Sequence, residues 1–244
     1  MKLTVLGKYG PYPPAGGATS GYLLQGGGTN VLLDCGSGIL SRLQQFTSID
    51  DVEAVVLSHL HDDHTADMRI LRYMIPFRNK FSAGIKTKIK VFAPPMPEAE
   101  YAFLCAMEPF EVHPVHHGME AEIGTMRFRF HAGIHPYPSF GIRVECENKV
   151  FAYSGDTNRS ENIPPMIQGA DAFLCDAAFL HEDKEPGSVH LSAREAALYA
   201  KENNVGRLIL THPLAHYDAG KHLAEAVAIF PNTQTAEEMK SIDI

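Results

Sequence analysis

Two stretches of the chain carry the same order of apolar runs and turn residues. From Ser20 to Gly36 an apolar run (Tyr22, Leu23, Leu24) meets a turn at Gly26-Gly27-Gly28. A second run (Val31, Leu32, Leu33) follows, then Asp34 and Gly36. Ser139 to Asp156 reads alike: Ile142 and Val144, a turn at Glu147-Asn148, then Val150, Phe151 and Ala152 ahead of Gly155-Asp156. Apolar runs of strand length separated by such turns predict β-hairpins. Two hairpins ending in Gly/Asp loops suggest one domain over residues 1–244, with two similar halves meeting near residue 120. Chance similarity is the alternative.

After each hairpin the period changes. Glu53 to Leu57, Ile89 to Ala93, Ala172 to Cys175 and Leu208 to Leu210 are short apolar runs of buried-strand type. Ala66 to Ile75, with Met68, Ile70, Leu71, Met74 and Ile75, fits a helix packed on one side, and Pro76 is expected to end that helix. Ser192-Ala-Arg-Glu195 spells a capping box, with Leu191 and Ala196 as its staple. That helix is expected to run to Asn203 or Asn204, with Gly206 beyond. The Pro/Gly-rich stretch Gly10 to Gly17 reads as a loop. Strands, hairpins and helices mixed throughout predict an α/β layered fold.

Composition narrows the function. The 244 residues carry a net charge of −8, which excludes a generally basic nucleic-acid surface. A basic stretch (Arg78, Lys80, Lys86, Lys88, Lys90) reads as a solvated face. No apolar run is long enough for a spanning helix, and Met1 to Gly10 lacks the pattern of a secretory signal, so no membrane association and a cytoplasmic location are expected. Four cysteines without a C-x-x-C pair read as reduced, mostly buried thiols. The unusual count is 13 histidines.

Their placement carries the chemistry. Ser58-His59-Leu60-His61-Asp62-Asp63-His64 follows a buried strand and precedes a helix. His59 and His61, two apart, project to one side of extended backbone, and Asp63 and His64 can face a second point nearby. So many ligand-type side chains in six residues repel one another unless a divalent cation joins them; the bland alternative is a polar loop with a satisfied histidine or two. Such a motif needs distant partners. His135, Asp156 and His212 stand in loops beside expected strands.

With these residues in place the sequence resembles the metallo-β-lactamase superfamily. His59, His61, Asp63 and His64 match its signature motif, Asp34 its earlier structural aspartate, and His135, Asp156 and His212 its later ligands. The resemblance covers about Leu3 to Asp218 and implies an αβ/βα four-layer sandwich, two facing mixed sheets with helices outside. Within the superfamily, His190-Leu-Ser192, Arg194-Glu-Ala-Ala197 and Leu208 to His212 resemble the ribonuclease Z-like group. That group's His-Glu-Ala-Thr stretch is Cys175-Asp-Ala-Ala178 here, so the acid is kept as Asp176 and the histidine is replaced by Cys175.

The resemblance implies that His59, His61 and His135 hold one metal, that Asp63, His64 and His212 hold another, and that Asp156 bridges them. Nitrogen and oxygen ligands suit Zn²⁺, with Mn²⁺ or Fe²⁺ as alternatives. A bridging hydroxide is then the nucleophile. Asp63 also orients or deprotonates the water, and His190, paired with Asp176, is the candidate acid. His113, His116, His117, His131, His181, His216 and His222 match no motif and read as surface or structural.

The expected function is hydrolysis of a small phosphodiester or nucleotide. Transfer RNA processing is not expected: the interval from His135 to Asp156 holds only a hairpin, where the processing enzymes carry a long tRNA-binding arm. No stable nucleic-acid partner is expected, and a homodimer is left open. A carbonyl hydrolase acting on a lactone, thioester or β-lactam, and a metal-binding protein without catalysis, remain the alternatives.

Overall fold

The computed structural model describes residues 1–81 and 87–244. Lys86 of the basic stretch lies outside the described residues. Two seven-stranded sheets face each other. The first contains β1 (Lys2–Gly7), β2 (Gly21–Gly26), β3 (Thr29–Leu33), β4 (Val52–Val56), β5 (Ile89–Ala93), β6 (Phe110–Pro114) and β14 (Ser241–Asp243), in the order β14-β1-β2-β3-β4-β5-β6. The second contains β7 (Glu120–Ile123), β8 (Met126–Ala132), β9 (Phe140–Cys146), β10 (Lys149–Tyr153), β11 (Ala172–Asp176), β12 (Leu208–Thr211) and β13 (Thr233–Thr235), in the reverse sense, β13-β12-β11-β10-β9-β8-β7. Each sheet begins as an antiparallel meander and turns parallel after a hairpin: at β3-β4 in the first, at β10-β11 in the second. The chain changes sheets between Pro114 and Glu120, and β14 returns to the first.

The expected hairpins are present. Gly27 and Gly28 turn between β2 and β3 with φ of 54° and 78°; Glu147 and Asn148 turn between β9 and β10 with φ of 53° and 58°. Positive φ at both central residues gives the primed turn whose twist matches the flanking strands. Alternation then sorts the side chains. Leu24, Val31, Ala54, Phe128, Ile142, Phe151 and Leu174 fill the space between the sheets. Their neighbours Leu23, Leu32 and Val55 pack under helices α1 (Ile39–Leu43), α3 (Met68–Phe81) and α4 (Glu98–Cys105). Ala152, Phe173 and Leu208 pack under α5 (Ile163–Ile167), α6 (Ala193–Glu202) and the helical face that includes Ala226 of α7 (Ala219–Val227). Both faces of each sheet are thus covered, which is why the parallel strands read as unbroken apolar runs.

Helix α6 starts with both capping-box bonds, Ser192 to the Glu195 N–H and Glu195 to the Ser192 N–H. Helix α3 corrects the expectation for Pro76, which lies inside it rather than ending it. Pro76 is exposed, so the Arg72 carbonyl that loses its partner can face water. The turn beyond is held from outside, by Arg78 bonded to Asp50 and to Ser48. Cys35, Cys146 and Cys175 are buried, Cys105 is exposed, and all four are free thiols. Among the described residues no helix is long and apolar enough to cross a membrane.

Candidate metal centre

The C-terminal ends of β3, β4, β10, β11 and β12 converge at one edge of the sandwich, where side chains of both sheets open onto a common crevice. Strand β4 delivers Ser58 to His64. His61 caps the one-turn helix α2 (Asp62–Thr65), its carbonyl accepting the His64 N–H, so Asp63 and His64 swing towards the second sheet. The loop after β8 brings His135, the loop after β10 Asp156, and the end of β12 His212.

These side chains meet as two groups of ligand atoms. His59 Nε2 lies 2.9 Å from His61 Nδ1, which lies 3.1 Å from His135 Nε2. Asp63, His64, Asp156 and His212 form the second group, with His64 Nε2 3.3 Å from His212 Nε2 and His212 Nε2 3.2 Å from Asp63 Oδ2. Asp156 reaches both: its Oδ2 is 3.6 Å from His59 Nε2 and 3.3 Å from His212 Nε2, its Oδ1 3.3 Å from His64 Nε2. All seven residues of the sequence-derived ligand set are therefore brought together.

The donor set fits a divalent cation. Three ring nitrogens converging at about 3 Å cannot all be satisfied by the protons they share. Asp156 Oδ1 is buried and accepts no hydrogen bond. Three of the far ring nitrogens are already engaged: His59 Nδ1 with Ser58 Oγ at 3.1 Å, His135 Nδ1 with the Val189 carbonyl at 3.3 Å, and His64 Nδ1 with Asp34 Oδ2 at 2.8 Å. Such outer partners orient metal-ligating histidines and leave the inner nitrogen free.

Electrostatics follow the packing. Burial, then neighbouring His64, pushes His59 well below the usual imidazole range. Burial likewise lowers His61 and His135. Burial alone would raise Asp156, but His212, His64 and His59 overcome it and hold the carboxyl well below its ordinary value. At His64 burial opposes the charged form, yet Asp156, Asp63 and Asp34 hold its proton affinity well above normal. A cation at this point competes with that proton for the same carboxylates.

Asp34 anchors the cluster. Fully buried and at φ 56°, it accepts from the Ser58 N–H (2.7 Å), Ser58 Oγ (2.9 Å), His64 Nδ1 (2.8 Å) and Tyr153 Oη (2.7 Å). Tyr153 comes from the opposite sheet and packs edge-on against Tyr22, centroids 5.3 Å apart. The sequence offers no local sign of this role for Tyr153, since nothing near it in the chain points to Asp34. Gly10 is a second residue missed as a site element, having read only as loop. A Cβ there would stand 1.9 Å from His212 Nε2, so only glycine lets the loop pass this close.

His190 and Asp176 lie beside the cluster. His190 Nδ1 is 2.9 Å from Asp176 Oδ2, and the ring stacks on His212 with centroids 5.0 Å apart. Asp176 also accepts the N–H groups of Thr157 and Ala178. Burial disfavours a charge on His190, but Asp176 and then Asp156 raise it to about 9. Cys175 points the other way, into the apolar layer under α6, and burial raises its thiol well above the usual range. The replaced family histidine therefore lies outside the crevice. The crevice itself, about 310 Å³, is walled by Pro11, Asp62, Pro136 and Val189 around the cluster.

Two facing mixed sheets with a histidine–aspartate cluster at their common edge define the class of metallo-hydrolases. A model of the beta-lactamase superfamily domain matches residues 29–213. The probable metallo-hydrolase YhfI of Bacillus subtilis is 30% identical over 231 residues, covering 94% of each chain. Its crystal structure superposes with a TM-score of 0.91 at 26% identity, over 99% of this chain and 98% of that one. Ribonuclease Z of Methanopyrus kandleri is 25% identical over 98% of this chain and 96% of its own length. A solved diphosphatase of the PhnP family shares the fold at a TM-score of 0.77 and 19% identity, over 100% of this chain and 97% of that one. The chain belongs to the metallo-β-lactamase superfamily, with ribonuclease Z among its relatives.

Proposed function

We propose that the protein is a metal-dependent phosphodiesterase acting on a small phosphodiester or nucleotide. In this reading His59, His61 and His135 hold one divalent ion, Asp63, His64 and His212 hold a second, and Asp156 serves both. Zinc suits these nitrogen and oxygen donors, as manganese or iron also would. When bound, the ions supply Lewis acidity to a phosphoryl oxygen and acidify water.

The chain's own groups do the rest. Asp63, beside His212 and open to the crevice, is placed to orient the attacking water. His190 donates a proton to the leaving oxygen, and Asp176 keeps its Nδ1 occupied so that Nε2 is the donating atom. Pro11, Pro136 and Val189 form the apolar wall against which the substrate's organic part rests. The observation that carries the reading is the Asp176–His190 pair at 2.9 Å beside the cluster. A positioned acid serves a poor alkoxide leaving group. A crevice of about 310 Å³ suits a small substrate, and the relationship to ribonuclease Z supports phosphodiester chemistry.

The test is a substrate screen on protein purified without chelators. About two metal ions per chain are expected, with hydrolysis of bis(p-nitrophenyl) phosphate or a 2′,3′-cyclic nucleotide. Asp156→Ala should remove both the metal and the activity. Turnover of lactones or thioesters with phosphodiesters untouched would overturn the assignment, and metal content near zero would remove its basis.

A further inference from the structure

Helix α5 packs over β10 and, through Met166, over Gly141 of β9, where the Met166 sulfur takes the space of a Cβ. Past it the outer side of the second sheet turns polar. Alternation puts Arg127, Arg129 and His131 of β8 on that side, since Phe128 and Phe130 face the core. Register then sets their neighbours. Arg127 lies between Glu122 and Glu145, Arg129 between Glu120 and Arg143, and His131 opposite Gly141. The three arginines, Glu120, Glu145 and His131 floor a cavity of about 330 Å³, walled on one side by Pro165 and Gln168.

The charges in this floor do not pair off. Arg127 is bonded to Glu120 at 2.7 Å, and Arg143 to Glu145 at 3.0 Å and to the Met166 and Gln168 carbonyls. Arg129 is left over. Among the described residues its guanidinium makes one ion pair, a long one to Glu120 Oε1 at 4.0 Å, and Arg143 faces it directly across the strands. Like charges in facing positions destabilise a sheet. In a chain of net charge −8, excess arginine does not account for that pairing. His131 adds an independent sign. It is 6% exposed, and neither of its buried ring nitrogens has a hydrogen-bond partner among the described residues. Buried polar groups left unpaired are costly and uncommon. The neighbouring His117 ring packs edge-on at 6.1 Å but turns its Nδ1 to the Ala132 N–H. Burial, then Arg129, His117 and Arg143, push His131 down to about 4, so near pH 7 the ring is neutral and carries one N–H donor.

We propose that this cavity is a phosphate-binding site, taking free phosphate or the phosphate group of a small phosphomonoester, with Arg129 and Arg143 gripping its oxygens and His131 donating a ring N–H. A tetrahedral dianion presents oxygens in several directions, which suits a guanidinium from each of two strands and an imidazole in the next row. A planar carboxylate would fill one guanidinium fork and leave the other cation facing it uncompensated. The volume is that of a small-molecule site. The cavity shares no lining residue with the metal crevice, so the two sites are separate. They are joined by the chain: β8 carries Arg129 and His131 on its outer side and runs on into the loop of His135.

The test uses metal-loaded, full-length protein, isotopically labelled at histidine, with the His131 ring signals assigned by their loss in His131→Gln. Inorganic phosphate and adenosine monophosphate should each shift those signals saturably at sub-millimolar concentration, and adenosine should not. The pKa of His131, read from the same signals, should rise from about 4 when phosphate is bound, because the anion offsets Arg129 and Arg143. Arg129→Gln changes an exposed side chain and should weaken binding about tenfold or more, with circular dichroism and metal content unchanged. Tighter binding of the monophosphate would assign the phosphomonoester, and tighter binding of inorganic phosphate the free ion. His131 signals that stay in place on phosphate addition, or an affinity unchanged in Arg129→Gln, overturn the site and leave the metal centre as the place where phosphate binds. Equal shifts with adenosine overturn the phosphate chemistry.

Discussion

Replacing Asp34 by asparagine tests how the cluster is held. The carboxylate accepts four hydrogen bonds in a fully buried position, three of them on Oδ2. Asparagine keeps one carbonyl acceptor for the Ser58 N–H and sets an NH₂ group against Ser58 Oγ, His64 Nδ1 and Tyr153 Oη. Hydrogen bonds to a charged acceptor contribute about 1.5–3 kcal/mol each, and bonds sharing one acceptor are not additive, so a loss of about 3–5 kcal/mol is expected. His64 also loses the acceptor that keeps its Nε2 free, which should weaken metal binding about 10- to 100-fold. Tyr153→Phe leaves three donors on the carboxylate and should cost only about 1–2 kcal/mol. Urea unfolding gives the first quantity, and chelator competition with metal analysis gives the second. The double variant should lose less than the sum of the two. An Asp34→Asn protein within about 1 kcal/mol of the parent, with unchanged metal affinity, would refute the view that this carboxylate organises the site.

Three further outcomes are expected. Gly10→Ala should weaken metal binding without touching a ligand, because its Cβ falls on the His212 ring; metal analysis after chelator challenge reads this. His190→Ala should slow cleavage of a substrate with an alkoxide leaving group about 100-fold or more, and spare p-nitrophenyl substrates, which leave without protonation; kcat on the two substrates separates the cases. Burial would raise the Glu195 carboxyl, but the Lys184 ammonium at 2.6 Å and the Ser192 N–H hold it below its ordinary value of 4.5. A lowered folded-state pKa adds stability above about pH 4.5 that disappears as pH falls through the folded value. Glu195→Gln should therefore cost about 1 kcal/mol near neutrality, and the difference should shrink in urea titrations near pH 3.5.

What could be read from the chain was whatever is local in it. The hairpins showed because Gly27-Gly28 and Glu147-Asn148 sit between apolar runs. The capping box of α6 needs only Ser192 and Glu195. Strand β8 is equally legible, since Arg127 and Arg129 alternate with Phe128 and Phe130 behind a turn at Gly124, whose φ is 57°. Pro76 misled for a physical reason: a proline breaks a helix only where its lost hydrogen bond goes uncompensated, and compensation here comes from solvent and from Asp50, far along the chain. Tyr153 and Gly10 matter through contacts with Asp34 and His212, and sequence proximity carries no trace of those. The dense motif at His59–His64 announced its chemistry because four donors in six residues have few other uses.

The proposed ligands are divided between the sheets: His59, His61, Asp63 and His64 hang from the first, His135, Asp156 and His212 from the second. Neither sheet alone offers a complete coordination shell, so any ion taken up at this edge is also a rivet between the two layers. Occupancy at a hundred times the dissociation constant tightens the sandwich by about 2.7 kcal/mol, comparable to burying another large side chain. Conversely, parting the layers at this edge would open the proposed coordination sphere, so loss of the ion and loosening of the sandwich would be coupled.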